Sequence, residues 1–227
     1  MTAMKTKKLI VVGDSAFAEI AREYFDVDTQ YEVVSFSVES AYLKQKQLQG
    51  LPVTPFETLE LAYAPDDHEV FVAITYSQLN RLRTRLANDA KRKGYRLASY
   101  ISPRAFVWRN VELGEHSFVF ENNTVQPFVK IGANVVLWSG NHIGHHSIIR
   151  DNCFISSHVV ISGFCEIGEN SFLGVNSTLA NNVTLGKDNW IGPGVTISRA
   201  TESGALFSVP TAEASRVSSL RFFKVKE

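Results

Sequence analysis

The sequence has little of several features that mark particular classes of protein. Its 23 basic and 23 acidic residues cancel, so it lacks the positive charge typical of proteins that bind nucleic acids or anionic membranes. It has only two cysteines, Cys153 and Cys165, which form neither a CxxC pair nor a zinc-finger spacing. Its first apolar run, 9–12, spans only four residues, too few for a signal peptide or a membrane span. We therefore expect a cytoplasmic protein that has no nucleic-acid or membrane partner.

Up to about residue 100, strand-like runs alternate with helical stretches. The alternation indicates a Rossmann-like α/β domain over residues 1–100, built on a small parallel sheet. The pattern predicts strands at 9–13, 31–36, 69–74 and 96–101 and helices at 15–25, 56–63 and 78–93. Ligands of such sheets bind at the carboxyl ends of the strands. Those ends carry Gly13, Asp14, Ser15, Ser37, Glu39, Thr75 and Tyr76.

The turn after the first predicted strand reads GDSAFAE and contains one glycine, not the GxGxxG of dinucleotide-binding domains. Binding of NAD is therefore not expected. A single glycine before a helix fits a phosphate site, and it fits an ordinary strand-to-helix turn equally well. The sequence leaves both interpretations open.

After residue 100 a strict six-residue period begins. This period matches neither an α-helix nor a simple strand and is typical of a left-handed parallel β-helix made of hexapeptide repeats. We therefore predict a three-sided β-helix over residues 101–200, with about eighteen residues per coil, followed by a capping tail over residues 201–227. Seventeen positions carry the period, and all are Ile, Val or Leu: 101, 107, 113, 119, 125, 131, 137, 143, 149, 155, 161, 167, 173, 179, 185, 191 and 197.

The period also predicts which side chains face inward. The aliphatic residue is expected to point inward at a corner, and the short residue two positions earlier also points inward. Both cysteines occupy such short inward positions, which indicates that they fill the core. His142, His145, His146 and His158 instead face outward. No metal site is expected there, because adjacent residues of an extended strand diverge and the nearest acidic residue is Asp151.

Among the outward histidines, His145 has a distinctive neighbour. Eighteen residues further, in the next coil, stands Gly163. An outward glycine leaves space beside the imidazole and exposes a backbone N–H. A base beside an open slot with an amide donor is the arrangement that acyl transfer requires. The same step from the neighbouring histidines reaches bulky side chains, so His145 is the predicted catalytic base.

The two predicted domains together resemble the bacterial nucleotide-sugar acetyltransferases of the bacillosamine and perosamine type, whose close relatives include sialic-acid O-acetyltransferases. The resemblance runs from LIVVGDSAFAE through HHSIIRDNCFISSHVVISG and FLGVNSTLANNVTLG to FSVP near the C-terminus. The hexapeptide repeat alone indicates an acyltransferase, and its combination with the α/β domain is more specific. The resemblance implies metal-independent transfer of acetyl from acetyl-CoA to the amino group of a nucleotide-linked deoxy-sugar.

The resemblance also implies roles for individual residues. In that family a histidine matching His145 is the proposed base, and acetyl-CoA lies between neighbouring subunits of a homotrimer. The amide of Gly163 would lie near the thioester carbonyl, and Val175 and Gly192 would line the path of the pantetheine. The nucleotide would lie against the turns at 13–15, 37–39 and 75–76. Supporting roles are considered for Asn141, His142, His146 and His158.

Two departures from the family and several alternatives remain. Family members often carry an acidic residue directly after the catalytic histidine, where this chain has His146, and the usual pair of acids after the second strand is reduced to Val38-Glu39. O-acetylation of a sugar hydroxyl is the nearest alternative. A non-catalytic scaffold or sugar-nucleotide sensor is a second, and metal-dependent hydrolysis a third.

Outward aromatic residues provide a separate argument for a trimer. A monomer that left them all exposed would have an unusually large apolar surface, which a closed ring of three would cover. A second interpretation is that some of these aromatic residues contact the N-terminal domain or line the acetyl-CoA groove. The residues concerned are Phe118, Phe120, Phe128, Trp138, Phe154 and Phe164.

Overall fold

The computed structural model of the chain describes residues 4–225. The outer ends of the predicted ranges 1–100 and 201–227 therefore lie outside the described residues. Within them, no helix is both long and apolar enough to cross a membrane.

The N-terminal domain is an α/β domain. Its six strands are ordered β3-β4-β2-β1-β5-β6, and every pair is parallel except the β3–β4 hairpin. The central strand β1 is buried on both faces, as its run of aliphatic residues predicts. Helix α1 covers one face of the sheet, and α2 and α3 cover the other. The elements are β1 Lys7–Val12, α1 Ala16–Asp28, β2 Tyr31–Val38, β3 Gln47–Leu48, β4 Leu51–Pro55, α2 Leu59–Ala62, β5 His68–Val72, α3 Arg81–Arg92 and β6 Arg96–Leu97, with 3-10 turns at Ser40–Tyr42 and Phe56–Thr58.

Two features of this domain differ from the sequence prediction. The hairpin β3–β4 was not predicted, because its strands are short and its tight turn at Gln49-Gly50 lacks a strong hairpin signature. The predicted single strand 96–101 is two strands. The first, β6, completes the α/β sheet, whereas Tyr100–Ile101 already belongs to the β-helix.

The second domain is a left-handed parallel β-helix, as the six-residue period predicts. Two-residue strands stack in register at a spacing of eighteen residues, for example Phe154 on Phe172 and Trp190. The first side consists of β7 Tyr100–Ile101, β10 Phe118–Val119, β13 Val136–Leu137, β16 Phe154–Ile155, β19 Phe172–Leu173, β22 Trp190–Ile191 and β24 Leu206–Phe207. The second side consists of β8 Phe106–Val107, β11 Thr124–Val125, β14 His142–Ile143, β17 Val160–Ile161, β20 Thr178–Leu179 and β23 Thr196–Ile197. The third side consists of β9 Glu112–Leu113, β12 Lys130–Ile131, β15 Ile148–Ile149, β18 Glu166–Ile167 and β21 Thr184–Leu185.

The aliphatic ladder fills the centre of the tube. From Val119 to Ile197 every residue of the ladder is at most 5% exposed. The cysteines are buried in the same core, and burial raises the pKa of the Cys153 thiol to about 12. The ladder lies on the flat sides and not at the corners, which corrects the prediction. Each corner falls three residues later, where the backbone adopts positive φ, for example 59° at Asn122 and 57° at Phe164.

The first side of the β-helix packs against the N-terminal domain. Phe118, Phe120 and Phe154 are at most 2% exposed, and Trp138 is half-buried. Their neighbours include Phe17, whose ring centroid lies 5.6 Å from that of Phe118. The domains thus share one core, and this explains why most of the outward aromatics need no partner subunit.

Only two of the six outward aromatics remain exposed. Phe128 and Phe164 are each 55% exposed and lie away from the domain interface. The argument for a trimer from a wide aromatic surface is therefore wrong for the other four residues. The six-residue period could not show which side the N-terminal domain covers. At the far end, β24 pairs with β22, and residues 208–225 are exposed.

Candidate active site

The corner between the second and third sides carries the predicted base. We call it the histidine corner and define it as residues 127–128, 145–146, 163–164 and 181–182. His145 is exposed there, and its imidazole lies directly against Gly163. A Cβ atom added to Gly163 would lie 2.8 Å from Cε1 and 3.0 Å from Nε2 of His145. Glycine therefore allows the ring to rest on the backbone of the next coil.

The amide of Gly163 is not free. Its N–H donates to Oδ1 of Asn181 over 3.0 Å, eighteen residues further along the same corner. The prediction of an unobstructed donor is wrong for this state of the chain, because the following coil supplies an acceptor. Asn181 is exposed, so rotation of its side chain would release the amide.

His145 and His146 approach each other, contrary to the expectation that they diverge. Their Nδ1 atoms lie 3.1 Å apart. The two residues form a turn, and His146 has φ of 58°, so the argument from an extended strand does not apply. The ring of His146 stacks between Phe128 and Phe164, with centroid distances of 4.6 and 4.9 Å.

The other candidates for supporting roles lie elsewhere. Asn141 is buried inside the tube, where its amide donates to the carbonyl of Trp138 and its Oδ1 accepts from the amide of Val159. Its side chain therefore supports the coil and not the imidazole, which corrects the prediction. His142 is half-buried on the second side. His158 lies at a different corner, with its ring over Gly140.

Within residues 4–225 no group of three or more His, Cys, Asp or Glu side chains is arranged to hold a metal ion. The histidine corner supplies only the two adjacent imidazoles, whose Nδ1 atoms contact each other. A neutral imidazole at this corner has a nitrogen that can accept a proton.

The carboxyl ends of β1 and β2 form a pocket of about 220 Å³ in the N-terminal domain. Four of the predicted nucleotide-sugar residues line it: Gly13, Asp14, Ser37 and Glu39. At Gly13, φ is 126° and a Cβ atom would lie 2.9 Å from the carbonyl oxygen of Ala73, so the turn requires glycine. Arg85 holds Glu39 through two N–H···O bonds of 2.9 Å. This pairing leaves less of the carboxylate available to a ligand.

The remaining predicted nucleotide-sugar residues do not line this pocket. Ser15 is exposed at the start of α1. Thr75 and Tyr76 instead line a cavity of about 200 Å³ between the domains, and Val175 lines the same cavity. The ring of Tyr76 packs against Phe172, with centroids 4.5 Å apart. The structure thus places six of the seven predicted residues in two separate cavities and Ser15 in neither.

The residues predicted to bind acetyl-CoA are dispersed in a single protomer. Gly163 belongs to the histidine corner, whereas Val175 is exposed at the corner between the first and second sides. Gly192 follows β22 on the first side, where its amide donates to the carbonyl of Phe207. One protomer does not bring the three together.

A polar cluster that sequence reasoning missed joins the domains. The side chain of Arg83 is fully buried, and its guanidinium donates to Oδ1 of Asn134 and to backbone carbonyls of both domains. His116 is buried beside it. Its Nε2 accepts from the amide of Val72, and Nδ1 lies 2.7 Å from Oδ1 of Asn134. The one available signal was the corner position of His116, three residues after an inward aliphatic residue.

Burial is the main cause of the unusual protonation of this cluster. Burial first, and then the nearby Arg83 guanidinium, lower the pKa of His116 to about 3, although the hydrogen bond with Asn134 opposes this shift. His116 is therefore neutral, with its proton on Nδ1. This cluster holds the domains together and is separate from the histidine corner.

Comparisons with known proteins agree with this fold. The model of the "Bacterial transferase hexapeptide (six repeats)" family matches residues 128–163 and 164–199. The acetyltransferase domain of PglB from Neisseria gonorrhoeae has a solved structure that superposes with a TM-score of 0.79 at 23% identity, covering 88% of this chain and 96% of that chain. It was also solved in complex with acetyl coenzyme A.

A second similar structure is PerB from Caulobacter crescentus, solved in complex with CoA and GDP-perosamine. It superposes with a TM-score of 0.79 at 24% identity and covers 90% of this chain and 95% of that chain. A mutant of the perosamine N-acetyltransferase from the same organism superposes with a TM-score of 0.80 at 23% identity. The chain therefore carries the bacterial transferase hexapeptide repeat, in the two-domain fold that these acetyltransferases share.

Proposed function

We propose that this protein transfers an acetyl group from acetyl-CoA to the amino group of a nucleotide-linked deoxy-sugar. The proposal depends on one observation: an exposed imidazole lies against a backbone glycine of a hexapeptide β-helix. The α/β domain adds a pocket at the ends of β1 and β2. Among proteins of the same two-domain fold, PerB was solved with CoA and GDP-perosamine, and the substrate class is inferred from that likeness.

In the proposed reaction His145 is the general base. The sugar nitrogen attacks the carbonyl carbon of the thioester, and Nε2 of His145 accepts the proton that the nitrogen loses. The C–S bond then breaks, and the proton passes from the imidazolium to the leaving CoA sulfur. The products are the N-acetylated sugar and free CoA, so the base returns to its neutral form.

The amide of Gly163 is the proposed donor to the carbonyl oxygen as it gains negative charge. For this step the thioester oxygen would replace Oδ1 of Asn181, which accepts the same N–H in the structure. An exposed asparagine can turn away at little cost, whereas the backbone amide remains fixed by the coil.

The N-terminal pocket is the proposed site for the nucleotide. Lys44 contributes a positive charge to its lining, and the adjacent start of α1 adds the amide groups of a helix N-terminus, an arrangement that suits a diphosphate. The close approach of backbone that Gly13 permits also fits a phosphate. Val38, the last residue of β2, and Glu39 directly after it also line the pocket.

Self-association into a trimer is part of the proposal. The N-terminal domain covers the first side of the tube, whereas His145 lies at the corner that joins the other two sides. The pocket and the base of one protomer therefore face different directions. A closed ring would place the base of one protomer beside the pocket of the next.

The test of the proposed reaction is an acetylation assay. Purified protein is incubated with acetyl-CoA and amino-deoxy-sugars linked to UDP, dTDP or GDP, with sialic acid as a hydroxyl acceptor. We expect N-acetylation of one sugar nucleotide and a loss of kcat on the order of 10²–10⁴ in His145→Gln. His158→Gln, at another corner, is the matched control and should keep its kcat. Acetylation of the hydroxyl acceptor alone would contradict the proposal.

Binding of CoA is tested separately from turnover. A ligand present at one hundred times its Kd stabilises the folded state by about 2.7 kcal/mol, which a thermal-shift measurement detects. A non-catalytic scaffold would show no such shift.

A further inference from the structure

The residue after the proposed base is held in one orientation. The ring of His146 is sandwiched between Phe128 and Phe164, with interplanar angles of 29° and 18°. These three residues follow one another at intervals of eighteen along the histidine corner. All three have positive φ, between 57° and 66°. The stack therefore fixes the plane of the His146 ring and the direction of its Nδ1 atom.

That Nδ1 atom points at Nδ1 of His145, 3.1 Å away. A hydrogen bond between two imidazole nitrogens needs one donor and one acceptor, so the two rings must hold different tautomers when both are neutral. If His145 donates from Nδ1, its Nε2 carries a lone pair and can accept a proton. If His146 donates, the proton of His145 lies on Nε2, and that nitrogen cannot act as a base.

Nε2 of His145 has no hydrogen-bond partner within residues 4–225, whereas its backbone amide donates to Oε1 of Gln126 over 2.9 Å. The nitrogen left open to a substrate is therefore Nε2. Nothing in the described part of the chain competes with a substrate proton for it.

We propose that His146 is a positioning residue that accepts a hydrogen bond from Nδ1–H of His145 and thereby keeps Nε2 of His145 available as the base. The effect of this hydrogen bond on the reaction rate rests on the proposed function. The tautomer of His145 does not depend on the proposed function. After proton transfer, His145 carries a proton on each nitrogen and still donates to Nδ1 of His146. The same bond thus stabilises the imidazolium.

The chain itself suggests two variants that separate the hydrogen bond from the stack. Phe is native at the equivalent corner positions 128 and 164, so His146→Phe tolerates the positive φ and preserves the stack but removes the acceptor. Asn is native at corner positions such as 152 and 182. His146→Asn therefore also tolerates the backbone, and its Oδ1 replaces the acceptor while the stack is lost.

The kinetic experiment compares both variants with the full-length wild-type protein. We expect His146→Phe to lower kcat by roughly tenfold or more with little change in KM, because a base in the wrong tautomer presents a proton where a lone pair is needed. We expect His146→Asn to keep kcat within about threefold of wild type, because a carbonyl oxygen accepts the same bond. A lower kcat in His146→Asn than in His146→Phe would assign the effect to the aromatic stack and overturn the inference.

A spectroscopic experiment tests the tautomer without any substrate. Long-range 1H–15N spectra of histidine-labelled protein distinguish Nδ1–H from Nε2–H, and the signals of His145 are assigned by their loss in His145→Gln. We expect His145 as Nδ1–H in the wild type and in His146→Asn, and a shift towards Nε2–H in His146→Phe. Observation of Nε2–H in the wild type would overturn the inference even in an active enzyme. If no sugar is acetylated, the proposed function fails, and these spectra still decide whether His146 is the acceptor.

Discussion

At the scale of single residues, the missing side chain at Gly163 determines where His145 can lie. The imidazole occupies the space in which a Cβ atom would stand, 2.8 Å from Cε1. Because His145 is exposed, its ring can swing into solvent if that space is filled. A substitution here should therefore move the base without unfolding the coil.

The corresponding prediction is a comparison of Gly163→Ala with Gly140→Ala. Gly140 lies under another imidazole, that of His158, and a Cβ atom added to it would lie 2.6 Å from Cε1 of that ring. We expect Gly163→Ala to lower kcat by roughly tenfold or more, since a displacement of about 1 Å at a reacting group costs up to 10²-fold. Gly140→Ala should leave kcat unchanged, although its φ of 78° makes some loss of Tm expected. Equal kcat values for Gly163→Ala and wild type would contradict the placement of the base.

The sequence was informative about some contacts of this site and not about others. The contact of His145 with Gly163 follows from the eighteen-residue spacing alone. The stack of His146 between Phe128 and Phe164 could have been found by the same spacing. The Nδ1 contact between His145 and His146 was missed because the corner was predicted at the aliphatic residue, whereas the turn with positive φ lies three residues later. The acceptor that Asn181 provides depends on a side-chain rotamer, which no spacing encodes.

At the scale of elements, the strands on the second and third sides of the β-helix pair an inward residue with a more exposed one. In β17 Ile161 is fully buried and Val160 is 40% exposed. These adjacent β-branched residues differ mainly in their surroundings. Substitution of each residue in turn therefore measures how much the buried aliphatic residues contribute to the free energy of unfolding of the β-helix.

We predict that Ile161→Ala lowers the free energy of unfolding by about 2–5 kcal/mol, because it removes buried methyl groups and leaves a cavity. Val160→Ala should change it by less than about 1 kcal/mol, since the side chain remains largely in water. Denaturant unfolding followed by circular dichroism measures both. A similar loss in the two variants would show that the coil is less tightly packed than the structure indicates.

Elements with a regular apolar pattern were predictable from the sequence. Very short strands, and a run of residues that contributes to two different sheets, were not. The strands of the β-helix were predictable because the seventeen aliphatic residues recur without a gap. A single insertion or deletion would have shifted all later coils out of register. Strands β1, β2 and β5 were found from their apolar runs. The run 96–101 was misassigned because it contains no glycine or proline to mark a break, while its ends belong to different sheets. The division of this run into two strands is determined by tertiary contacts and not by the local sequence.

At the scale of the whole molecule, His116 joins the two domains by being neutral. It accepts a hydrogen bond from Val72 of β5 while its own chain position lies on the β-helix. Burial lowers its pKa to about 3, whereas histidine in an unfolded chain has a pKa of about 6.5. Below pH 6.5 the unfolded chain therefore binds a proton that the folded protein does not.

This difference predicts that the free energy of unfolding falls as the pH is lowered from about 6.5 towards 3, with a contribution from His116 of about 1.4 kcal/mol per pH unit. In His116→Asn that contribution disappears, so the slope between pH 6 and 4 should be smaller even though the variant is less stable overall. Asn suits the φ of 57° at this corner. Urea unfolding at several pH values measures the slopes. Equal slopes would show that His116 is protonated in the folded state.

The arrangement of the two domains also predicts how a complete site must be assembled. The N-terminal domain covers the first side of the tube, and His145 stands at the corner of the other two. If the pocket and the base that act together come from neighbouring protomers, two inactive variants should complement each other. His145→Gln lacks the base, and Asp14→Trp fills the pocket at the end of β1.

The two variants are mixed in equal amounts and allowed to reassociate at random. About one quarter of all sites should then combine a wild-type base from one protomer with a wild-type pocket from its neighbour. We therefore expect mixed oligomers to recover about a quarter of wild-type activity, whereas each variant alone remains inactive. Light scattering on the same sample should give three times the 25.3 kDa mass of the chain. No recovery in a mixture that has demonstrably exchanged subunits would mean that each protomer completes its own site. The exposed corner of His145 would then need a large movement of the N-terminal domain to reach the sugar.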